Sequence, residues 1–215
     1  LKSTATKHGL ACLLHEKPFA GVNGSGKHNN WSLGTDNGVN LFKPGKEPNK
    51  NLQFLCVLAC LMEAVNKHAL LLRAAASNTG NDHRLGANEA PPAIISIYMG
   101  DQLGEIVDAI VAGVPFDQLP CAEVGTLDLG VSTLPVLPKD PTDRNRTSPF
   151  AFTGNRFEFR MVASSVSIGD ANTVMNSMIA ESFNKACDAL EGAEDFEKAA
   201  IDYIYKAMKE NKNIV

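Results

Sequence analysis

Residues 155–162, Asn-Arg-Phe-Glu-Phe-Arg-Met-Val, alternate between apolar and polar side chains, and this alternation decides the fold class. Side chains of an extended chain point alternately to opposite sides, so Phe157, Phe159 and Met161 share one face. The stretch therefore predicts a β-strand whose apolar face packs against the core.

The opposite face of this strand carries Arg156, Glu158 and Arg160, spaced roughly 7 Å apart at successive positions. One interpretation is a row of solvated ion pairs. The other is a site for a polyanion, because guanidinium groups bind phosphate or carboxylate oxygens with paired donors. A carboxylate between them would repel the anion unless a divalent cation bridges the two, so the pattern favours metal-phosphate chemistry.

Further segments extend this strand into a fold. Short apolar runs predict strands at 10–16, 27–33 and 93–98, and 35–40 reads as a tight turn. Apolar residues at intervals of three and four predict helices at 51–76, 101–112, 172–190 and 194–209. Strands early and mid-chain, with helices between and after them, predict an α+β fold with a mainly antiparallel sheet and flanking helices.

Composition excludes several classes of partner. The chain has 215 residues, with 20 Lys and Arg against 24 Asp and Glu, a formal net charge of -4. No general basic field is available, so neither nucleic acid nor a membrane is an expected partner. Five cysteines without a dense framework favour a reducing compartment, and we expect a cytoplasmic protein. Cys56 and Cys60 are four apart on a predicted helix, where packing is favoured over metal binding.

Residues 23–28, Asn-Gly-Ser-Gly-Lys-His, form a glycine-rich segment before the strand predicted at 27–33. The spacing is not that of a Walker phosphate loop, and the helix that should follow is absent from the pattern. The glycines would allow a ligand to approach the backbone. His28 is either a structural residue or a metal ligand, with Asn30 and Ser32 following at period two.

A second polar segment, residues 77–92, is long for a plain connection and carries Arg84 and Glu89. It is either a surface turn or a functional loop. Arg144 and Arg146 add two more guanidinium groups later in the chain. The convergence of several arginines favours an anion site.

Three blocks together resemble the glutamine synthetase family, specifically its type III form. Residues 23–32 resemble the Asn-Gly-Ser-Gly-x-His segment, residues 84–91 the Arg-Leu and Glu-Ala-Pro flap, and residues 156–160 the Arg-x-Glu-x-Arg strand. The resemblance implies that residues 1–215 are the C-terminal portion of a glutamine synthetase/guanido kinase-like catalytic domain. A family-specific insertion is expected at about 113–143, and a helical C-terminal part at 172–210.

The resemblance also implies roles for individual residues. Metal binding is implied for His28 and Glu158. Contacts to glutamate are implied for Asn23, Gly24, Arg84, Glu89 and Arg160. Contacts to ATP are implied for Asn30, Trp31, Ser32, Arg144, Arg146 and Arg156. Catalytic roles are implied for Glu89, which would accept a proton from ammonium, and for Arg146.

The implied activity is ATP-dependent ligation of ammonia to L-glutamate through γ-glutamyl phosphate, with Mg²⁺ or Mn²⁺ as cofactor. The implied assembly is a homo-oligomer, a dodecamer of stacked rings. Most acidic metal ligands of the family precede the glycine-rich block, so we expect weak or no turnover from these residues alone. Two alternatives remain open: a γ-glutamyl-amine ligase of the same fold, and a non-catalytic assembly module.

Overall fold

The computed structural model describes residues 1–88, 90–121 and 147–215, together with the backbone of 126–127 and 137–138. The helices are α1 Lys2–Lys7, α2 Leu52–Lys67, α3 Ala69–Ala74, α4 Thr79–Arg84, α5 Gly100–Val111, α6 Gly169–Leu190 and α7 Phe196–Glu210. The strands are β1 Gly26–Trp31, β2 Ile97–Tyr98, β3 Thr126–Leu127, β4 Leu137–Pro138, β5 Phe150–Phe152 and β6 Phe157–Ala163. The predicted α+β class is confirmed.

The main sheet has the strand order β1-β6-β5-β2. Strand β6 pairs antiparallel with both β1 and β5, and only the β5–β2 pair is parallel. The prediction of a mainly antiparallel sheet is therefore correct. Strands β3 and β4 form a separate antiparallel pair inside the predicted insertion, most of which lies outside the described residues.

The apolar face of β6 lies in the core, as its alternation predicts. Phe157, Phe159 and Met161 are fully buried. The Phe157 ring stacks on Phe150 of β5 with centroids 5.0 Å apart, and it meets Phe42 edge-on at 5.1 Å. Such aromatic pairs add to the burial of apolar area, so this cluster anchors the sheet.

Helix α2 is the centre of the helical layer, and α6 and α7 pack on it. Asn51 caps its first turn by accepting a hydrogen bond from the Phe54 amide at 3.0 Å. The single helix predicted over 51–76 is interrupted at His68, where the backbone leaves helical angles. The His68 ring contacts Glu181 of α6 at 2.6 Å, a tertiary contact that the helical periodicity could not reveal.

Two other predictions of local structure are corrected. Residues 10–16 are irregular instead of forming a strand, because no described strand lies beside them to pair with. Within the segment expected to be a loop, Asn78 caps the short helix α4 by accepting from the Asn81 amide at 2.9 Å. Helices α5, α6 and α7 lie where periodicity predicts them. No helix in the described residues is both long and apolar enough to span a bilayer.

Candidate active site

A polar face is formed by the two neighbouring strands β1 and β6. Along β1, Lys27, Asn29 and Trp31 are more buried than Gly26, His28 and Asn30, which lie on the exposed side. Asn30 is directly opposite Glu158 of β6. The chain thus brings two stretches that are distant in sequence onto one surface.

Three ionisable side chains converge on this face. The Nδ1 atom of His28 lies 3.3 Å from Oε2 of Glu158, and Nε of Arg160 donates to the same oxygen at 3.1 Å. The side chain of Arg160 is only 2% exposed, whereas those of Glu158 and His28 are 20% and 39% exposed. Glu158 is therefore held from the buried side and remains accessible from the other.

The strand pairing is irregular at His28. Lys27 is opposite Val162 and Asn29 is opposite Phe159, so His28 faces two residues of β6 instead of one. Bulges of this kind bend a strand and redirect its side chains. At this place the carbonyl oxygen of Met161 accepts hydrogen bonds from Asn81 at 2.7 Å and from Arg84 at 3.3 Å, which attaches α4 to the sheet.

Arg84 is buried beneath the glycine-rich segment, with 5% of its surface exposed. Its Nε donates to Oδ1 of Asn81 at 3.0 Å, and its Nη2 to the Met161 carbonyl. Burial lowers the pKa of Arg84, and the charge of Glu16 opposes that shift. Because a guanidinium carries five N–H donors, donors remain for an anion in the adjacent cavity.

The glycines at 24 and 26 are required by this close approach. A Cβ at Gly26 would lie 2.6 Å from Nη1 and 2.7 Å from Cζ of Arg84. A Cβ at Gly24 would lie 2.6 Å from Cγ of Arg84 and 2.7 Å from the Glu16 carbonyl oxygen. Any larger residue would displace the guanidinium or the backbone.

A cavity of about 280 Å³ opens beside these groups. Its lining consists of Asn23, Gly24, Ser25, Gly26, His28, Arg84, Ala90 and Pro91. The lining combines one buried cation, an imidazole, an amide and the glycine-rich backbone. This chemistry suits a small anionic ligand better than an apolar one.

Several known proteins are similar to most of this chain. Residues 1–95 match the family model described as glutamine synthetase, catalytic domain. The chain is 58% identical over 182 residues, 85% of its length, to a type-3 glutamine synthetase of Dictyostelium discoideum, and covers 24% of that protein. It is 48% identical over 211 residues, 98% of its length, to a glutamine synthetase of Bacteroides fragilis (strain YCH46), and covers 29% of it.

The chain belongs to the glutamine synthetase family. A third relative, a glutamine synthetase of Butyrivibrio fibrisolvens, is 54% identical over 169 residues, which are 79% of this chain and 24% of the relative. The chain thus spans about a quarter of the length of the curated relatives that it matches.

The glutamine synthetase motifs meet at one place in the structure. Asn23, Gly24, His28 and Arg84 line one cavity, and His28 contacts Glu158. Glu158 in turn accepts a hydrogen bond from Arg160, so Arg160 belongs to the same group of side chains. Of the residues expected to contact ATP, Asn30, Ser32 and Arg156 are exposed.

Trp31 lies apart from this group. Its indole is 7% exposed, its ring centroid is 5.5 Å from that of Phe42, and Nε1 donates to Asn176 at 3.0 Å. The side chain of Trp31 therefore belongs to the core and is unavailable to a ligand on the polar face. Glu89, Arg144 and Arg146 lie outside the described residues.

A divalent cation fits the donor pair that the structure brings together. His28 contributes an imidazole nitrogen and Glu158 a carboxylate oxygen, both ligand types for Mn²⁺, with the carboxylate also suited to Mg²⁺. Among the described residues no cluster of three or more His, Cys, Asp or Glu side chains could hold a metal. Cys60 lies instead in the helical layer, with its sulfur 3.7 Å from the Tyr203 hydroxyl.

Two residues near the cavity were not among the predicted site residues. Asn81 is fully buried and orients Arg84. Its position three residues before Arg84 on a helix was a usable signal, because side chains at that spacing are neighbours. Glu16 is also buried, but it lies in the segment 10–16 that was predicted as a strand, and nothing in its local pattern marks it.

Proposed function

We propose that the complete protein carrying this sequence ligates ammonia to L-glutamate with ATP, through γ-glutamyl phosphate, to give L-glutamine. The main structural support is the distance of 3.3 Å between His28 Nδ1 and Glu158 Oε2, beside a cavity that Arg84 lines. The names of the relatives support the same activity. A non-catalytic module would not need a buried guanidinium in a cavity next to a partly exposed carboxylate.

Glutamate is the proposed occupant of the cavity. Arg84 would bind a carboxylate with the donors that Asn81 and Met161 leave, and Asn23 and Gly24 would contact the amino acid from the glycine-rich segment. Charge-assisted hydrogen bonds are stronger than neutral ones, so a buried guanidinium discriminates well for an anion. Arg160, which donates to Glu158, is proposed to contact the same ligand.

His28 and Glu158 would hold the divalent cation, Mg²⁺ or Mn²⁺. When bound, such a cation offsets the negative charge of ATP phosphates. The chain's own part is to keep imidazole and carboxylate together, with Arg160 orienting the carboxylate from the buried side. Outer partners of this kind orient ligands and tune metal affinity.

ATP would lie against the exposed part of the polar face, near Asn30, Ser32 and Arg156, with the backbone at Trp31. Arg144 and Arg146 are proposed to join them, Arg146 with a catalytic role. Glutamate and ATP are both anions, so bringing them together requires cationic groups, whose effect grows as water is excluded.

Glu89 is the proposed acceptor of a proton from ammonium. Ammonium is not nucleophilic until it is deprotonated, and a carboxylate both attracts the cation and accepts its proton. The neighbouring residues Ala90 and Pro91 line the cavity, which supports this role for Glu89.

The remaining parts of the proposal concern the whole protein. We propose that residues 1–215 are the C-terminal portion of the catalytic domain, with an insertion at about 113–143. The complete protein would be a cytoplasmic homo-oligomer, a dodecamer of stacked rings, with ATP, glutamate and ammonium as its partners. Sedimentation of the purified protein tests the assembly.

The deciding experiment compares Glu158→Gln with Glu63→Gln in the complete protein. Glu63 is an equally suitable carboxylate for the control, because it is mostly buried but lies in the helical layer with Lys185 and Tyr203. We expect Glu158→Gln to lower glutamine formation on the order of 10²-fold, because a charge beside the phosphates is lost. Glu63→Gln should retain near wild-type turnover.

Glutamine formation that depends on ATP and ammonium is the required result for the wild-type protein. Turnover with another amine but not with ammonium would identify a γ-glutamyl-amine ligase instead. Undiminished turnover in Glu158→Gln would contradict the site. Separately, Glu89→Ala should impair glutamine formation from ammonium more than hydroxamate formation from hydroxylamine, since hydroxylamine arrives neutral.

A further inference from the structure

Glu16 is a buried carboxylate that the proposed reaction does not use. It is 5% exposed, within an irregular segment whose apolar neighbours Leu13 and Leu14 are half exposed. Its Oε1 accepts hydrogen bonds from the amide of Ser165, at 3.1 Å, and from the Ser165 hydroxyl. Since Ser165 follows β6, the side chain ties residues 10–16 to the end of the central strand.

The backbone of Glu16 makes a second connection, to the glycine-rich segment. Its carbonyl oxygen accepts from the Ser25 amide at 2.6 Å, and a Cβ at Gly24 would lie 2.7 Å from the same oxygen. One residue therefore holds both the segment that covers the cavity and the turn after β6. A loop fixed at its centre in this way cannot move freely relative to the strand.

A third connection runs to α4, the helix that carries Arg84. A Cβ at Gly80 would overlap Oε2 of Glu16, so the carboxylate lies directly against the helix backbone. Glu16 and Arg84 also interact electrostatically, and the hydrogen bond from Ser165 is the main cause that lowers the pKa of Glu16. Glu16 is accordingly an anion beside the helix that bears the buried cation.

The partners of Arg84 explain why such an anion is useful. Its described hydrogen bonds go to neutral acceptors, the Asn81 amide oxygen and the Met161 carbonyl. A buried cation without a nearby negative charge is costly. Glu16 supplies that charge through space, without a direct hydrogen bond that would occupy the N–H groups facing the cavity.

We propose that Glu16 is a positioning residue that holds residues 23–26 and Arg84 in the arrangement that binds the carboxylate of an acidic amino-acid substrate. The inference rests on the proposed function for the identity of that substrate. Its structural part, that Glu16 couples the glycine-rich segment to α4 and β6, stands on the contacts alone.

The test uses the complete protein with Glu16→Gln, Glu16→Ala and the matched control Glu63→Gln. The Gln variant retains an oxygen for Ser165 but removes the charge, whereas the Ala variant removes both. We expect KM for glutamate to rise about tenfold in Glu16→Gln and more in Glu16→Ala, as the loss of one charge-assisted contact predicts. KM for ATP should change little in either, and Glu63→Gln should leave both constants unchanged.

A merely structural role predicts a different result. In that case kcat and both KM values would change together, in parallel with the melting temperature, and the Gln variant would behave like the Ala variant. Either that result or an unchanged KM for glutamate in Glu16→Ala would overturn the proposal.

Hydrogen-deuterium exchange separates this inference from the proposed function. We expect faster exchange at residues 23–28 and 80–85 in Glu16→Ala than in the wild type or Glu63→Gln. This result would support the coupling even if the wild-type protein made no glutamine, in which case the proposed function alone would fail. Unchanged exchange in both segments would overturn the coupling whatever the activity.

Discussion

Two carboxylates in different layers of the molecule, Glu63 of the helices and Glu158 of the sheet, are both largely buried but are partnered differently. Glu63 uses both oxygens, accepting from Lys185 at Oε1 and from the Tyr203 hydroxyl at Oε2, the latter at 3.1 Å. In Glu158 a single oxygen, Oε2, contacts both His28 and Arg160. The helical layer completes its own polar network, whereas the sheet retains acceptor capacity for a ligand.

The cavities beside these carboxylates show that volume does not identify a site. The cavity lined by Glu63, Lys185 and Tyr203 measures about 370 Å³, against about 280 Å³ beside Arg84. In the larger one, Glu63 is already paired with Lys185 and accepts from Tyr203. The smaller one contains a buried guanidinium with donors to spare, so chemistry and not size separates the two.

The largest effect should come from filling the space over Arg84. Gly26→Ala would place a methyl group 2.6 Å from the guanidinium, which is too buried to move aside. We expect kcat/KM for glutamate to fall on the order of 10²-fold, as for a misplaced binding group. Steady-state kinetics of the complete protein measure it.

Gly104→Ala is the matched control for that substitution. Gly104 lies in α5, and a Cβ there meets nothing within 4 Å. Alanine favours the helix by up to about 1 kcal/mol, so this variant should be fully active and equally or more stable. Full activity in Gly26→Ala would contradict the close approach of Gly26 to the Arg84 guanidinium.

A smaller effect on stability is expected from Asn81→Ala. The change leaves the buried Arg84 Nε without its acceptor, and removes the amide donor of the Ala76 and Met161 carbonyls, of which Met161 still accepts from Arg84. Leaving buried polar groups unsatisfied costs about 1–3 kcal/mol. Asn66→Ala removes the hydrogen bond to Asn211 at the half-buried edge of the helical layer and should cost less. Denaturant unfolding of both variants measures their free energies of unfolding. Equal losses of stability in the two variants would refute this prediction.

The contribution of Glu16 to the stability of the protein should depend on pH. The hydrogen bond from Ser165 lowers the pKa of Glu16 below its usual value, with a further contribution from Arg84. A carboxyl group with a lowered folded-state pKa stabilises the protein fully above its unfolded pKa, about 4.3. That contribution is lost as pH falls through the lowered value.

The measurement is the difference in melting temperature between wild type and Glu16→Gln as a function of pH. We expect the advantage of the wild type to be constant near neutral pH and to shrink below about pH 4.3. An advantage that grows on acidification would have the wrong sign for a lowered pKa.

The smallest effect is expected from Glu63→Gln in the helical layer. Lys185 is 62% exposed, so its ion pair with Glu63 is screened, and the amide oxygen of glutamine can still accept from Tyr203. We expect a loss below about 1 kcal/mol and unchanged kinetic constants. A large loss of activity in this variant would contradict the conclusion that the sheet carries the site and the helical layer does not.

Local patterns predicted much of the fold correctly. The alternation at Phe157, Phe159 and Met161 identified β6 and its buried face, because period two is a direct consequence of strand geometry. Periodicity likewise located α5, α6 and α7. The apolar run at 10–16 failed as a strand prediction, since a strand needs a partner for its backbone groups and a short sequence does not specify one.

The candidate site, like the fold, was only partly predictable from the sequence. Residue types and spacing alone singled out His28, Arg84, Glu158 and Arg160, because arginines and a carboxylate on one strand face carry recognisable chemistry. The role of Asn81 and Glu16 depends on contacts with Met161 and Ser165, which are far away along the chain. The burial of the Trp31 indole was also invisible in its motif.

The sequence by itself determined which side chains carry charge, which face of β6 is apolar, and where helices form, because these properties depend on neighbours a few residues away. Only the tertiary structure decided that the His28 side chain contacts Glu158 next to a register shift and that Arg84 lies beneath two glycines. Those relations depend on how distant segments pack. Burial then makes each of them costly to change, since an unpaired charge or a displaced backbone has no water to compensate it.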